Sequence, residues 1–183
     1  MIAVLDPDLA GPAAGPAPAA GHPAFALGTQ LGTPAELDDP RASEVTTTLA
    51  VSAGAAYEIF ADAIEIPRWL PIVQTARTVA RHADGRPSRV AFTRRLERGS
   101  LGYTLEYRYD PANLTVTWRT PETSNVVLCG EAQFTPLSMR ACLMRYQLVI
   151  DLPVTDDLVA YELAHHPASQ VASEFREHVR RLC

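Results

Sequence analysis

The sequence contains no lysine, and all 16 of its basic residues are arginine. A Walker A phosphate loop and a Schiff-base nucleophile both require lysine, so both are excluded. No glycine-rich loop follows a strand and opens a helix, and Ser100 in G-S-L-G does not have the context of a hydrolase nucleophile elbow. The sequence therefore gives no support for a nucleotide, and we predict no cofactor.

Histidine and cysteine are also scarce, and their spacing does not suit a metal ion. His165 and His166 are adjacent, so on a helix their side chains would diverge by about 100°, and no H-E-x-x-H spacing occurs. His82 and His178 are expected in solvated positions. The three cysteines are an odd number without a C-x-x-C pair, which supports neither a disulfide framework nor a zinc knuckle. We predict no metal site, and free thiols in a reducing cytoplasm.

Long hydrophobic runs are absent from the sequence. The apolar run near the N-terminus is interrupted by Asp6 and Asp8, and no basic residue precedes it. A signal peptide needs a basic start and a longer apolar core, and a membrane helix needs about 20 apolar residues. We therefore expect a cytoplasmic protein with no integral membrane segment.

Positive charge is in deficit, with a formal net charge of −5. General affinity for nucleic acid requires clustered positive charge, so a nucleic-acid partner is not expected. Five acidic residues oppose one arginine in the first 42 residues, which leaves −4 there and −1 for residues 43–183. The folded part is therefore nearly neutral.

Residues 1–42 are rich in alanine, proline and glycine and hold few large apolar side chains. Such a segment cannot bury enough surface to offset the entropy lost on ordering, so it is predicted to be a disordered tail. The apolar patch Ala24–Leu27 leaves open a second interpretation, in which the tail docks on a protein partner. A single folded domain is expected over residues 43–183.

The stretch Val51–Val73 predicts two short helices that meet at an angle. Ser52 is a suitable N-cap for the first helix. Pro67 and Pro71 bracket the second, because the former can occupy the first helical position and the latter ends the turn. Apolar residues with helical spacing form the stripe that the first helix should bury: Ala53, Ala56, Tyr57, Phe60 and Ile64.

Seven runs have the alternation and turn chemistry of strands. One begins at Glu44 and precedes the helices, and the other six follow them. Their connections are short, so each of the six should pair antiparallel with the one before it. The six are Val73–Arg81, Arg89–Glu97, Tyr103–Tyr109, Leu114–Thr120, Asn125–Thr135 and Arg140–Asp151.

The C-terminal segment returns to helical spacing. Pro167 can open a helix whose buried stripe is Val171, Phe175, Val179 and Leu182. An additional turn or short helix is expected at Thr155–Ala164. The whole pattern predicts an α+β fold: an antiparallel sheet of about seven strands that curves around the terminal helix, with two short helices between strands one and two. This geometry tends to leave a cavity.

The run L-x-V-S-A-x-x-x-Y-x-x-F-A-D-x-x-x-x-P-R-W-L-P, from Leu49 to Pro71, resembles the opening of START-like helix-grip domains. More narrowly, it is similar to the polyketide cyclase/dehydrase and lipid-transport branch of the SRPBCC superfamily. Shorter pieces at Tyr109–Pro111, Thr117–Arg119 and Gly130–Pro136 are similar to strands of the same group. The resemblance implies a hydrophobic cavity that binds a lipid, a polyketide or another apolar small molecule. In some members the cavity also directs cyclisation and dehydration.

Strand parity selects the residues that would face such a cavity. Arg94 is the exceptional one, because it is a charge on an otherwise apolar face. It would have to be paired, solvated by the cavity or bound to a ligand, unless a slipped register turns it to solvent. If the protein is an enzyme, the predicted catalytic residues are Arg94, Tyr107 and Tyr146. The predicted ligand-binding residues are Trp69, Phe92, Tyr103, Trp118, Phe134, Met144 and Phe175.

Three functions are consistent with these patterns. The first is binding of an apolar small molecule as a carrier, sensor or chaperone. The second is a polyketide cyclase or aromatase, in which Arg94 would stabilise an enolate-like oxygen and a tyrosine would give or take a proton. The third is an accessory domain whose surface or N-terminal tail binds another protein.

Overall fold

The computed structural model describes residues 42–96, 99–124, 127–151 and 168–182. Several predictions concern residues outside these ranges and are not tested. They are the tail up to residue 41 with its patch Ala24–Leu27 and its protein partner, the short helix at Thr155–Ala164, the pair His165 and His166, the helix-opening Pro167, and Cys183.

The described residues form seven strands and three helices in the order expected from the sequence. The predicted α+β class and the position of the two short helices between the first and second strands are confirmed. The elements are β1 (Ser43–Leu49), α1 (Ala53–Ala61), α2 (Ile66–Trp69), β2 (Val73–Arg81), β3 (Pro87–Arg95), β4 (Ser100–Asp110), β5 (Thr115–Arg119), β6 (Val127–Ser138), β7 (Ala141–Asp151) and α3 (Ala168–Leu182).

The seven strands form one antiparallel sheet in the order β1-β7-β6-β5-β4-β3-β2. Strands β2 to β7 are a meander, as the short connections predicted. Strand β1 pairs with β7 at the far end of the chain, with Val45 opposite Tyr146. Because β1 leads directly into α1, this pairing brings the two short helices onto the sheet face where α3 also packs.

Helix α1 begins as its sequence predicts. The Ser52 hydroxyl accepts a hydrogen bond from the backbone N–H of Ala55 at 3.4 Å, which satisfies one of the free N–H groups of the first turn. Tyr57 and Phe60 are buried, as their spacing predicted. The predicted buried stripe of α1, however, contains one residue too many. Helix α1 ends at Ala61, so Ile64 lies beyond it and is only half-buried.

The predicted end of the sixth strand at Pro136 is wrong, because β6 continues to Ser138. The N–H of Phe134 donates to the carbonyl of Leu114 at 3.1 Å, on the β5 side. Backbone groups two positions apart in a strand point to the same side, so the nitrogen of Pro136 also faces the β5 side. The pairing between β5 and β6 stops before this position, because its last pair is Thr115 with Gln133. Proline therefore costs no ladder hydrogen bond there.

Helix α3 covers the inner face of the sheet through Val171, Phe175 and Val179, as predicted. The fourth member of the stripe is wrong, because Leu182 at the last turn is 59% exposed. Two small residues, Ala168 and Ala172, are buried instead. Their size allows the helix to approach the sheet closely.

The core joins the three helices to the sheet. Phe175 of α3 packs edge-on against Phe60 of α1, with ring centroids 5.1 Å apart, and against Trp69 of α2 at 5.2 Å. Most charged residues of the strands lie on their exposed faces, including the pair between Arg145 of β7 and Glu44 of β1 at 2.9 Å. The inner face contributes the aromatic residues of the core.

Candidate functional site

A cavity of about 90 Å³ lies between the inner face of the sheet, helix α2 and the first turns of α3. Aromatic residues from four strands and two helices form much of its wall: Phe60, Trp69, Phe92, Tyr103, Tyr107, Trp118 and Tyr146. The remaining wall is aliphatic except for two polar side chains. It consists of Ile66, Leu70, Ile72, Val73, Leu105, Leu128, Leu148, Ile150 and Val171, with Arg94 and Gln170.

The structure brings most of the predicted site residues to this cavity. The three predicted catalytic residues, Arg94, Tyr107 and Tyr146, all line it. So do four of the predicted ligand-binding residues: Trp69, Phe92, Tyr103 and Trp118. Their chemical roles stay predictions, because their positions alone do not test them.

Three predicted ligand-binding residues lie elsewhere. Phe134, Met144 and Phe175 are almost fully buried, but they belong to the packed core and do not line the cavity. Phe134 and Met144 are opposite each other in neighbouring strands, beyond the cavity floor. Strand parity identified their inward direction correctly, and it could not show that other side chains fill the space in front of them.

The prediction also missed residues that line the cavity. Phe60 was assigned to the buried stripe of α1, and the structure shows that its ring is both core and cavity wall. Helical spacing indicates that such a residue is buried and contains no information about an adjacent space. Ile66 and Ile72 flank the proline-bracketed turn, and Gln170 lies in the first turn of α3. No sequence signal marked these three.

Arg94 reaches the cavity because of the regular alternation of β3. Val90, Phe92 and Arg94 are buried in turn, and the side chain of Arg94 is only 8% exposed. In the sheet, Arg94 lies opposite Val73 of β2 and Leu101 of β4. The alternative in which a slipped register turns this residue to solvent is therefore wrong.

The tyrosines of the wall are neutral hydrogen-bond donors at physiological pH. Burial raises the pKa of Tyr103 from its ordinary value of 10 to about 12, and the positive charge of nearby Arg94 opposes part of this rise. Burial also raises the pKa of Tyr107 and of Tyr146 well above the ordinary range. These hydroxyls can donate a hydrogen bond to a ligand, but they are not bases near pH 7.

Ring contacts hold the cavity floor together. Trp118 lies 5.4 Å from Tyr146, 5.7 Å from Phe60 and 6.5 Å from Tyr107, measured between ring centroids. The planes are tilted by 30°, 41° and 34° respectively. Contacts of this kind each contribute about 0.5–1.5 kcal/mol beyond the burial of area. The floor is therefore a connected aromatic cluster.

Burial decreases toward one end of the cavity. Tyr107, Trp118 and Tyr146 are buried on the floor. In contrast, the aliphatic residues near the ends of β6 and β7, Leu128 and Ile150, are half-buried, as are Ile66, Leu70 and Ile72 around α2. Gln170 is exposed. The least buried part of the described wall therefore lies around α2 and the first turn of α3.

The two described histidines lie outside the cavity. His82 is exposed, as predicted, and its Nε2–H also donates to the backbone carbonyl of Tyr107 at 2.9 Å. A carbonyl oxygen can only accept, so this contact requires the proton on Nε2. His178 is half-buried on α3, and burial lowers its pKa, with Arg181 acting in the same direction.

Within the described ranges, no three histidine, cysteine, aspartate or glutamate residues are arranged to hold a metal ion. No helix in that part of the chain is both long enough and apolar enough to cross a membrane. Cys129 and Cys142 are both buried. The wall chemistry therefore consists of aromatic rings, aliphatic groups, a guanidinium, an amide and three phenols.

Comparison with known proteins identifies the fold. No protein-family model matches the sequence, and a comparison with curated proteins finds no match. Solved structures do match. A START superfamily protein from Mycobacterium smegmatis is 21% identical, with a TM-score of 0.65, and the match covers 78% of this chain and 99% of that chain.

Two further matches are described as aromatase/cyclase proteins. Zhui aromatase/cyclase from a Streptomyces species is 17% identical with a TM-score of 0.60, and the match covers 78% of this chain and 96% of that one. The di-domain ARO/CYC protein BexL is 16% identical with a TM-score of 0.61, over 76% of this chain and 46% of that one. The chain therefore has the START-like helix-grip fold. One fold hosts many functions, so the match does not assign a ligand.

Proposed function

We propose that this protein binds an apolar, oxygen-bearing small molecule in the helix-grip cavity, as a carrier, sensor or chaperone. The observation that carries the proposal is the cavity wall, which is aromatic and aliphatic except for Arg94, Gln170 and the tyrosine hydroxyls. Ligand pockets typically combine such a wall with a few polar groups that fix orientation. The cytoplasmic location predicted from the sequence stays a prediction.

The polar groups of the wall indicate which ligand atoms would be recognised. A guanidinium has only donors, and a protonated phenol donates its hydrogen readily. Arg94 and the hydroxyls of Tyr103, Tyr107 and Tyr146 together therefore suit a ligand with acceptor oxygens. Carbonyl, carboxylate and phenolate groups meet this requirement. No described wall residue is an acid that would repel such a group.

The size of the cavity limits the ligand. A single water needs about 10–15 Å³ of such space, so 90 Å³ is several times that requirement. A cavity of about 150 Å³ holds one benzene ring, so the space as it stands suits a compact molecule of at most one ring, and a second ring would enter only if wall side chains shifted. A long acyl chain or an extended polyketide would fit only if wall side chains moved aside.

Native mass spectrometry of the purified full chain tests the proposal first. We expect a small molecule to accompany the protein and to be released on unfolding. Added benzoate should also bind, and 2-naphthoate should bind if the wall side chains can shift; both can be followed by calorimetry. Protein that carries no ligand and binds neither benzoate, 2-naphthoate nor their neutral amides would contradict the proposal.

The neighbouring arginines Arg94 and Arg95 provide a matched pair of variants. Arg94 is buried on the cavity wall, whereas Arg95 is the next residue and is exposed. Arg94→Gln should weaken binding of 2-naphthoate by about 10-fold or more, since a hydrogen bond to a charged group contributes about 1.5–3 kcal/mol. Binding of 2-naphthamide should change less. Arg95→Gln should leave both affinities unchanged.

A polyketide cyclase or aromatase is the alternative function. It is favoured by the similarity to two proteins described as aromatase/cyclases and by the position of Arg94 among phenol donors. In ring closure, an enol carbon would bond to a carbonyl carbon, the enol proton would pass to the carbonyl oxygen, and loss of one water would then leave a double bond. Arg94 would stabilise the oxyanion, and Tyr107 or Tyr146 would hydrogen-bond to it.

One feature of the wall favours binding over catalysis. Enol formation needs a base, and among the described wall residues Arg94 is cationic and the tyrosines are protonated near pH 7. Incubation with a linear poly-β-ketone, followed by mass spectrometry, separates the two functions. Loss of one water that depends on the protein and disappears in Arg94→Gln would establish the enzyme. Retention of the unchanged compound supports the carrier.

A further inference from the structure

Gly130 of β6 lies opposite Trp118 of β5 on the inner face of the sheet. A Cβ atom at position 130 would be 2.5 Å from Cζ2 and 2.8 Å from Cε2 of the Trp118 ring. It would also be 2.6 Å from the backbone oxygen of Gln147. Carbon atoms do not approach so closely without displacement. The indole therefore lies against the β6 backbone, in space that a side chain at position 130 would occupy.

Space, and not backbone conformation, accounts for this glycine. The glycines with a positive φ in the described chain are Gly85 and Gly99. Gly130 is not one of them, so any L-residue could adopt its backbone angles. The close approach of a ring to a backbone is one of the recognised reasons for glycine inside a strand.

The position of Trp118 decides the depth of the cavity. Its ring contacts Phe60, Tyr107 and Tyr146, and all four residues line the cavity. Behind the ring are the β6 backbone and the packed core. If a side chain at position 130 pushed the indole away from the sheet, the ring would move toward the cavity that it lines. The indole would therefore occupy volume that is now available to a ligand.

We propose that Gly130 sets the largest ligand that the cavity accepts, by allowing Trp118 to lie against β6. This inference rests on the proposed function that the cavity binds an apolar small molecule, and it adds the residue that determines the size limit. Gly130 is a positioning residue, since it acts through the ring of Trp118. The ligand class favoured by this floor is a compact planar ring system with an acceptor oxygen.

The test compares Gly130→Ala with Gly102→Ala, a matched control. A Cβ at Gly102 would meet only the backbone oxygen of Phe92, at an ordinary 4.0 Å. The probes are benzoate, 2-naphthoate and anthracene-2-carboxylate, which share one carboxylate and differ in ring number. Dissociation constants are measured by calorimetry for the wild type and both variants.

We expect Gly102→Ala to keep the wild-type order of affinities. For Gly130→Ala, the loss of affinity should grow with the ring number of the probe and should reach 10-fold or more for the largest probe that the wild type binds. A uniform loss for all probes, or no loss, would overturn the inference while leaving the proposed function intact. If the wild type binds none of the three, the proposed function fails and this inference with it.

Trp118→Phe provides a second test that does not depend on the folding of Gly130→Ala. The smaller ring removes the two indole atoms that a Cβ at position 130 would meet, whereas the backbone oxygen of Gln147 stays in place. This variant should accept a larger probe than the wild type, and the double variant should regain part of the affinity that Gly130→Ala loses for large probes. A Trp118→Phe variant with an unchanged size limit would overturn the inference by itself.

Discussion

The ring of Tyr109 stacks on the ring of Tyr107, with centroids 6.1 Å apart and planes 12° apart. Tyr107 lines the cavity, whereas Tyr109 lies nearer the surface, where its hydroxyl donates to the carbonyl of Pro87 at 2.8 Å. The guanidinium of Arg86 covers Tyr109 and also Tyr57, 5.4 Å from each ring centroid. A surface arginine thus supports the aromatic wall of the cavity from behind.

The first prediction concerns this arginine. Arg86→Met should lower the free energy of unfolding by about 1–2 kcal/mol, because two contacts between a cation and a ring are lost. The control is Glu58→Gln, which removes only the ion pair to Arg86 at 3.0 Å. Glu58 is largely exposed, so its loss should cost about 1 kcal/mol or less. Urea unfolding measures both, and equal losses would contradict the prediction.

The second prediction concerns alkaline pH. The folded pKa of Tyr103 is raised to about 12, above its ordinary value of 10. A raised pKa means that the stabilisation is complete below about pH 10 and is lost as the pH rises toward 12. Stability should therefore be level from neutral pH to about pH 9 and then fall.

Tyr103→Phe isolates the contribution of this residue. The variant cannot ionise at position 103, so its unfolding free energy should fall less steeply between pH 10 and 12. In a pH titration, phenolate absorbance should also rise at a higher pH in the folded wild type than in the protein unfolded in urea. Identical alkaline slopes for the variant and the wild type would show that Tyr103 titrates normally.

The third prediction concerns acid pH and the pairing of β1 with β7. Hydrogen bonds from Arg145 and Gln147 of β7 hold the pKa of Glu44 in β1 below its ordinary value of 4.5. Because its pKa is lower in the folded state, the ionised Glu44 stabilises the fold above about pH 4.5. This stabilisation is lost as the pH falls below 4.5 and through the pKa that Glu44 has in the folded protein.

Glu44→Gln should therefore reduce stability at pH 7 by about 1 kcal/mol or less, because the site is partly exposed. It should also flatten the loss of stability below pH 4.5. Glu122→Gln is the control, since its partner Arg119 is a near neighbour in the chain and Glu122 is 86% exposed. Urea unfolding at several pH values measures the difference, and an acid slope shared by both variants would contradict the prediction.

The fourth prediction separates core from surface on helix α3. Phe175→Ala should lower the unfolding free energy by about 3–5 kcal/mol, the usual cost of removing a buried phenyl ring. Phe175 packs on Phe60 and Trp69 and does not line the cavity. Leu182→Ala on the same helix should change stability by less than about 0.5 kcal/mol, because Leu182 is exposed. A large loss in the latter variant would contradict the exposed position of Leu182.

Local features were predictable because they depend on residues close in the chain. The cap at Ser52, the buried spacing of Tyr57 and Phe60, and the alternation that turns Arg94 inward all agree with the structure. The error at Pro136, in contrast, has a cause that is distant in the chain. Pro136 was expected to end β6, but β6 continues past it. The nitrogen of Pro136 faces the β5 side, where the pairing with β5 has already stopped, so no ladder hydrogen bond is lost.

The candidate site was only partly predictable. Parity identified which side chains point to the inner face, and this sufficed for Tyr107, Trp118 and Tyr146. It could not distinguish a residue beside open space from one beside another side chain. Phe134 and Phe175 point inward and meet packed atoms, whereas Phe60 borders the cavity. That distinction depends on where the helices rest on the sheet.

The sequence by itself determined the order of strands and helices, the meander and the apolar face, because hydrophobic spacing and turn residues act over a few positions. Only the tertiary structure decided the pairing of β1 with β7 and the contact of Trp118 with Gly130. These arrangements join residues far apart in the chain or depend on ångström-scale packing. They decide where the interior cavity lies, and no local sequence pattern predicts its position.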